Sequence, residues 1–227
     1  MTKIYRIIIF LTLINLPFST YAHIQHYEDL KRIEFDIYRN NKLIGTHIFS
    51  FKKLDGQLAV KSEINFKIKK FGIVFYTYHV EGTEIYEDGK LIKFNSKTNQ
   101  NGKEKYVNMI LENEEYTIDG SSYQGKVPED YLLGTWWNHS IVKAEAQISA
   151  VSGRIIKQKV TFLSKEIIKL GEKSYNTLHF NFASTDKKLT KGKKLNTDVW
   201  YDEKTLNWVK ASFHKQGKWQ YKLVSIN

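Results

Sequence analysis

Tight-turn dipeptides recur at short intervals along this chain, and they constrain its fold more than any other feature. Asn-Gly and Asp-Gly pairs favour two-residue hairpin turns, because the central residues of such turns adopt positive φ. The predicted turns are Asn40-Asn41, Asp55-Gly56, Asp88-Gly89, Asn101-Gly102, Asp119-Gly120 and Gln216-Gly217. The segments between them are rich in β-branched and aromatic residues, which favour strands, and the whole chain has only 2 prolines. The sequence therefore predicts a long series of antiparallel hairpins.

The predicted strands alternate between apolar and polar residues. In segment 58–68 the even positions are apolar apart from Ser62, whereas Lys61 and Glu63 lie between them. This period of two predicts one buried face and one solvent face. Segment 71–86 is apolar or aromatic on both faces for much of its length, which predicts a central strand covered on both sides. The predicted strands are 32–39, 42–53, 57–69, 72–86, 90–98, 103–111, 114–118, 154–164, 173–184, 195–202, 206–214 and 218–226.

One segment, residues 128–150, lacks this alternation of apolar and polar residues. Acidic residues directly after Pro128 resemble a helix start, so short helical pieces are predicted near residues 129–138 and 140–146. The predicted fold class is all-β: an up-and-down antiparallel curved sheet or barrel with a short helical cap at one end. A barrel of this many strands has an interior that can hold a small apolar ligand.

Residues 1–22 have the layout of a secretory signal peptide. Two basic residues precede an apolar run at 7–16, and small residues lead up to Ala22. The run is shorter than the roughly 20 residues that span a bilayer, so cleavage after Ala22 is predicted. Residues 23–227 then form a single all-β domain, and the predicted location is periplasmic or secreted.

Composition narrows the classes of partner. The chain has no cysteine, which excludes thiol chemistry and Cys-ligated metals and leaves the core alone to hold the fold in an oxidising compartment. Its formal net charge is +11. An exported protein rarely meets nucleic acid, so this charge favours anionic membrane surfaces as partners; lysine used for solubility is the alternative. The five lysines between residues 187 and 194 allow the same two interpretations.

Several short motifs, taken in order, resemble a known family. The motifs are FDIY at 35–38, KLIGTH at 42–47, YTYH at 76–79, GKL at 89–91 and NGK at 101–103. In this order and spacing they resemble an uncharacterised family of exported bacterial proteins, known as a domain of unknown function. The resemblance covers residues 31–226 and implies an exported β-rich domain with no activity to transfer. More distantly, the layout is similar to the curved sheets of periplasmic lipid and lipoprotein carriers.

The large aromatic residues predict a ligand cavity, because ligand clefts are lined by aromatic side chains with a few polar groups. The wall candidates are Tyr76, Tyr78, Trp136, Trp137 and Trp200. The adjacent pair Trp136-Trp137 is predicted to form part of a lid over the cavity mouth. The alternative is that these rings simply fill the β core.

Two histidines are the candidate polar anchors of that cavity. His47 and His79 each share strand parity with apolar neighbours, and Glu81 is placed to orient His79. Tyr76 and Tyr78 have the opposite parity to His79, so only one of these sets faces the ligand unless a bulge intervenes. The alternative is that both histidines are bonded to neighbouring hydroxyl groups in the core or at its rim.

The first functional hypothesis is a non-catalytic module that binds an apolar or amphiphilic envelope ligand, such as a small lipid, within a curved sheet. The second is an envelope lipid or glycan hydrolase or lyase that uses His79 and Glu81. The third is a structural protein that pairs through a sheet edge. No catalytic signature occurs, and neither a cofactor nor a metal is predicted; copper at a new N-terminal His23 is the one metal alternative. The sequence leaves the oligomeric state open.

Overall fold

The computed structural model describes residue 27 and residues 29–227. The predicted signal peptide, residues 1–22, and the alternative copper ligand His23 lie outside the described residues. The strands are β1 Arg32–Arg39, β2 Lys42–Leu54, β3 Gln57–Lys70, β4 Ile73–Glu87, β5 Lys90–Gln100, β6 Lys103–Glu112, β7 Glu115–Gly120, β8 Tyr123–Pro128, β9 Leu132–Leu133, β10 Ala146–Ile148, β11 Ile155–Leu170, β12 Lys173–Ser184, β13 Asn196–Asp202, β14 Trp208–His214 and β15 Lys218–Ile226. Two 3-10 helices span His139–Lys143 and Lys191–Lys193. Within the described part of the chain, no helix is long and apolar enough to span a bilayer.

These 15 strands form one meandering sheet that folds back on itself. Strands β1 to β8 pair in sequence, β1 also pairs with β15, and β15 to β9 follow in reverse order. The β9–β10 pair is parallel. The sheet is curved and not closed, because β8 and β9 are its edges, although Ser122 N donates to the carbonyl of Ser152 at 2.8 Å. The prediction of an all-β, up-and-down curved sheet is confirmed.

Side-chain alternation decides which face of each strand is inside. In β3, Val60 and Ser62 are buried and Lys61 between them is exposed. The first residues of several predicted turns have positive φ, with values of 49° at Asn40 and 53° at Asn101. The chain turns at residues 121–122, slightly later than the predicted Asp119-Gly120 turn. Strand β8, which follows, has no clear alternation and was not among the predicted strands.

The helical prediction for residues 129–138 is wrong. Residues 129–154, here called the inner segment, contain β9, β10 and the 3-10 helix His139–Lys143. The segment lies against the inner face of both halves of the sheet, since Trp137 contacts Phe51 and Tyr86, and Trp136 contacts Trp208 and Tyr221. It therefore fills the interior, and it does not form a helical cap at one end. The driving force is burial of large rings, which overrides the local helix signal.

The prediction that segment 71–86 is covered on both sides is also wrong. Its first residues are exposed, among them Phe71, Ile73 and Phe75. The reason lies in the pairing: β2 meets β3 only as far as Phe66, and β5 meets β4 only from Tyr78 onwards. The end of the β3–β4 hairpin consequently projects beyond both neighbouring strands.

Candidate functional site

A cavity of about 930 Å³ lies at the end of the sheet where several hairpin turns meet. Its lining includes Arg39 at the end of β1, Gln100 at the end of β5, and Ser122 between β7 and β8. Lys215 and Gln216 of the β14–β15 turn complete this side. The volume falls within the range of roughly 300–1,000 Å³ that is typical of small-molecule sites.

Aromatic rings form the walls of this cavity. They are Phe66, Tyr76, Tyr78, Phe213, Trp219 and Tyr221, together with the exposed Phe75. Several are stacked, with ring centroids 4.8 Å apart for Phe66 and Tyr78 and 5.8 Å apart for Phe213 and Trp219. Burial raises the pKa of the Tyr78 and Tyr221 phenols above the ordinary value. Both side chains are therefore neutral at physiological pH, so the walls are uncharged.

Basic side chains surround the rings. Among the described residues that line the cavity, the charged ones are all cations: Arg39, Lys105, Arg154, Lys193 and Lys215. The guanidinium of Arg39 donates to the carbonyl of Gln216, and its carbon lies 5.8 Å from the centroid of the Trp219 ring. Lys105 Nζ donates to Gln100 Oε1 at 2.6 Å. The cavity therefore combines aromatic walls with these five cations, which are here called the rim.

A smaller pocket of about 150 Å³ lies between the inner segment and the sheet. It shares Ser149, Val151 and Tyr221 with the large cavity, so the two spaces adjoin. In this pocket His47 Nε2 is 3.1 Å from Ser62 Oγ. Burial lowers the pKa of His47 to about 3, so the ring is neutral at physiological pH.

Two nitrogen atoms beside the small pocket lack a hydrogen-bond partner among the described residues. They are His47 Nδ1 and Trp136 Nε1, and both are buried. A buried polar atom without a protein partner needs a water molecule or a ligand group to bond it. The small pocket can therefore accept a polar group, although its other lining residues are mainly apolar or small.

The structure brings four of the predicted site residues to these two spaces. Tyr76 and Tyr78 line the large cavity, and Trp136 and His47 line the small pocket. Trp137, in contrast, is fully buried in the core, where its ring meets Tyr86 edge-on with centroids 5.6 Å apart. The expected lid role of Trp137 is therefore wrong, because its ring lies inside the sheet and not over the mouth.

Trp200 lies on the outer face of the sheet, away from both spaces. Its neighbours Val199 and Tyr201 are fully buried, so strand alternation turns Trp200 outward. There its ring stacks on His179 with centroids 4.1 Å apart, and its Nε1 donates to Glu166. Placing Trp200 in the cavity wall was wrong for this reason.

His79 also lies on the outer face, because Tyr78 and Val80 on either side of it turn inward. Its Nε2 is 3.6 Å from Glu81 Oε1, and both side chains are about half exposed. The expectation that His79 faces the interior is wrong, and β4 alternation is again the reason. The pair expected to carry a hydrolase or lyase activity is thus a side-chain contact on the outer surface of the sheet.

Sequence reasoning missed much of the cavity. Trp219 and Tyr221 alternate along β15, so strand parity alone could have identified them as wall residues. Arg39, Arg154 and Lys215 lie in or beside separate turns, and no local pattern marks them as neighbours. They converge only because the strands pair in this particular order.

Glu84 holds the inner segment in place. This carboxylate is fully buried on β4, and it accepts hydrogen bonds from Trp137 Nε1 at 3.0 Å and Tyr86 Oη at 2.5 Å. Burial raises the pKa of Glu84 to about 7, although these hydrogen bonds act in the opposite direction. Its sequence signal is a single acid among the inward positions Val80, Gly82 and Tyr86.

Comparison with known proteins places these observations in a family. A solved structure, described as a β-barrel-like protein of domain of unknown function DUF1849 from Brucella abortus, is similar with a TM-score of 0.60 and 11% identity. The similarity covers 87% of this chain and 97% of that one, and it supports the β-barrel-like fold alone. A DUF1329 family protein from Desulfovibrio piger, at 8% identity over 91% of this chain and 89% of that one, has a TM-score of 0.27, which is too low to support a shared fold.

No curated protein matches the chain. The family model described as domain of unknown function DUF6134 matches residues 35–224, which is most of the chain. This match confirms the resemblance to an uncharacterised family that the motifs indicated. The chain therefore belongs to the DUF6134 family, a domain of unknown function.

Proposed function

We propose that this protein is a non-catalytic module that binds an amphiphilic ligand with an apolar tail and an anionic headgroup. The observation that carries the proposal is the cavity of about 930 Å³, whose lining combines aromatic walls with the five cations of the rim and has no other charged residue among those described. The exported, periplasmic location expected from residues 1–22 is part of this proposal.

The walls favour an apolar tail. Six aromatic rings line the cavity in addition to the exposed Phe75. Each apolar group of the ligand that they cover is removed from water, which stabilises the complex by roughly 25 cal/mol per Å² of buried apolar surface. The small pocket extends this space past Tyr221 towards His47 and Trp136. A tail that reaches this pocket can end in a polar group bonded to either unpartnered nitrogen atom.

The rim favours an anionic headgroup. Arg39, Lys105 and Arg154 enter the cavity lining from three different strands or turns, so a carboxylate or phosphate can be bonded from several sides. Hydrogen bonds of this charge-assisted kind are roughly twice as strong as neutral ones. Arg154 Nη1 already donates to the carbonyl of Lys193 at 3.2 Å, which fixes the position of this cation in the cavity lining.

Binding is favoured over catalysis by the groups that line the two spaces. His47 is the histidine among them, and its pKa of about 3 makes it a poor general base at neutral pH. The phenols of Tyr78 and Tyr221 are neutral because burial raises their pKa. These groups can orient a ligand by hydrogen bonding, and the cations can neutralise its charge.

The proposal is tested with two ligands that share one tail. Binding of palmitate and of hexadecanol is measured by displacement of a fluorescent fatty acid from the purified protein. We expect the pair Lys105→Gln and Arg154→Gln to weaken palmitate binding roughly tenfold, because charged hydrogen bonds are lost, and to leave hexadecanol binding unchanged. The matched control is the pair Lys103→Gln and Lys159→Gln, which removes two exposed charges from outside the cavity lining.

Native mass spectrometry of protein from its own host gives an independent check. We expect a lipid-sized mass that organic extraction removes. The proposal is refuted if neither ligand displaces the probe, or if the rim and control variants weaken palmitate binding equally.

A further inference from the structure

The β3–β4 hairpin ends in a two-stranded ribbon that no other strand supports. The β2–β3 pairing stops at Gly45 and Phe66, and the β4–β5 pairing begins at Tyr78 and Gln100. Residues 67–77 therefore form strand pairs only with one another, as in the pair of Lys70 with Ile73. An isolated two-stranded ribbon of this kind is only marginally stable in water. Its structure therefore depends on the sheet from which it extends.

Large apolar side chains cover this ribbon and are open to solvent. Phe71 is 91% exposed, Ile73 65% and Phe75 59%, and Val74 between them is exposed as well. Single exposed apolar residues are ordinary, but a contiguous group of them marks an interaction surface. Four such residues within five positions of one hairpin constitute that kind of group.

The turn itself gives no structural reason for its aromatic residue. Phe71 has φ of 51° and Gly72 has φ of 79°. At the equivalent position of other hairpins the chain uses Asn40, Asp88 and Asn101, whose φ values are 49°, 48° and 53°. Asn and Asp tolerate this left-handed conformation, whereas a bulky side chain is disfavoured there. Phe71 is thus favoured neither by turn geometry nor by burial.

Lysines surround the apolar tip. Lys67, Lys69 and Lys70 are exposed on β3, and Lys70 Nζ lies 5.5 Å from the centroid of the Phe71 ring. No acidic residue occurs between Ile64 and Val80. Apolar rings that insert at the boundary between headgroups and acyl chains, flanked by amines that pair with anionic headgroups, are the elements of peripheral membrane binding.

We propose that this hairpin docks the protein on an anionic lipid bilayer, with Phe71, Ile73 and Phe75 inserted and the three lysines at the headgroups. The hairpin also borders the large cavity, since Ile68 and Phe75 are part of its lining. Docking therefore places the cavity mouth at the membrane surface. The docking inference stands on the hairpin alone and does not depend on occupancy of the cavity.

The test is co-sedimentation of the purified protein with phosphatidylcholine vesicles that contain or lack phosphatidylglycerol. We expect Phe71→Asn to weaken partition at least tenfold, because one large ring no longer inserts. Asn suits the positive φ of this turn, so the thermal unfolding temperature should be unchanged or higher. The matched control is Ile167→Asn, which changes a residue that is 72% exposed near the β11–β12 turn, at the opposite end of the sheet.

The lysines are tested separately. We expect the triple variant Lys67→Gln, Lys69→Gln and Lys70→Gln to lose roughly a hundredfold of its partition to anionic vesicles, at about fivefold per lysine. Its partition to neutral vesicles should not change. The inference is overturned if the protein binds neither vesicle, or if Phe71→Asn and Ile167→Asn bind as the unmodified protein does. It is also overturned if the unmodified protein is a dimer without vesicles and Phe71→Asn a monomer, since the tip would then cover a second copy.

Discussion

The buried carboxyl of Glu84 should make the stability of this protein depend on pH. Glu84 has no exposed surface, and its pKa is raised from 4.5 to about 7 by burial. The folded state therefore holds a proton between these two values that the unfolded chain has released. Stability from this group is complete below about pH 4.5 and is lost as pH rises through about 7.

The size of the change in unfolding free energy follows from the pKa shift of Glu84. A difference of one pKa unit corresponds to 1.36 kcal/mol, so a shift from 4.5 to about 7 is worth about 3 kcal/mol. Glu84→Gln removes the titration and keeps an oxygen that can accept from Trp137 Nε1. We expect the free energy of unfolding of the variant, relative to the unmodified protein, to rise by about 3 kcal/mol between pH 4 and pH 8.

The difference between the two proteins is the quantity to measure, because His47 acts in the opposite direction. The pKa of His47 is lowered from 6.5 to about 3, so its contribution to stability is present above pH 6.5 and lost towards pH 3. That contribution is common to both proteins and cancels in the difference. Urea unfolding at unit intervals from pH 4 to pH 8 gives each free energy to within about 10–15%.

A flat difference would refute the reasoning. If the free energies of unfolding of the two proteins keep a constant offset from pH 4 to pH 8, then Glu84 does not titrate with a raised pKa. A change with the opposite sign would indicate that Glu84 is ionised in the folded state and stabilised by its hydrogen bonds with Tyr86 and Trp137.

Three further predictions concern packing and processing. Trp137→Ala should destabilise the protein by about 3–5 kcal/mol in urea unfolding, since it removes a fully buried ring, whereas Trp219→Ala should cost less because that ring borders the open cavity. Gly45→Ala should cost about 2 kcal/mol or more, because the new Cβ would lie 2.0 Å from the carbonyl oxygen of Asn65; an unchanged melting temperature would contradict this. The intact mass of protein recovered from the periplasm should correspond to a chain that begins at His23, and a mass that retains residues 1–22 would contradict the predicted cleavage.

The strands could be predicted from sequence because their signals are local. Residues 32–39, 173–184 and 218–226 were predicted with the bounds that the structure shows. Period-two alternation and turn residues such as Asn101 act within a few positions of the chain. Whether the sheet closes depends on whether its two edge strands, β8 and β9, pair with each other. That pairing is not encoded locally, and so the sequence left a curved sheet and a barrel as alternatives.

The wrong predictions have one physical origin. A residue pattern within a strand does not show which other part of the protein, if any, packs against that strand. Residues 71–76 carry apolar or aromatic side chains on both faces. A strand buried on both sides and an exposed interaction surface share this property. Trp200 is aromatic and nearly buried, yet its partner is His179 on the outer face. The cavity rim requires Arg39, Arg154 and Lys215 to converge, and only the strand order brings them together.

The proposed docking site and the buried carboxyl lie at opposite ends of strand β4. This separation makes the docking proposal and the prediction about pH-dependent stability independently testable. Phe71 precedes the strand in a ribbon without other strand partners, whereas Glu84 lies where β3 and β5 both pair with β4. A change in the ribbon therefore leaves the core packing intact, and a change at Glu84 leaves the exposed rings intact. If the hairpin docks at a membrane, Phe71→Asn should weaken vesicle binding at least tenfold without loss of stability. Glu84→Gln should alter the pH dependence of stability with vesicle binding unchanged. A variant that changes both properties would mean that the ribbon and the inner segment are coupled through β4.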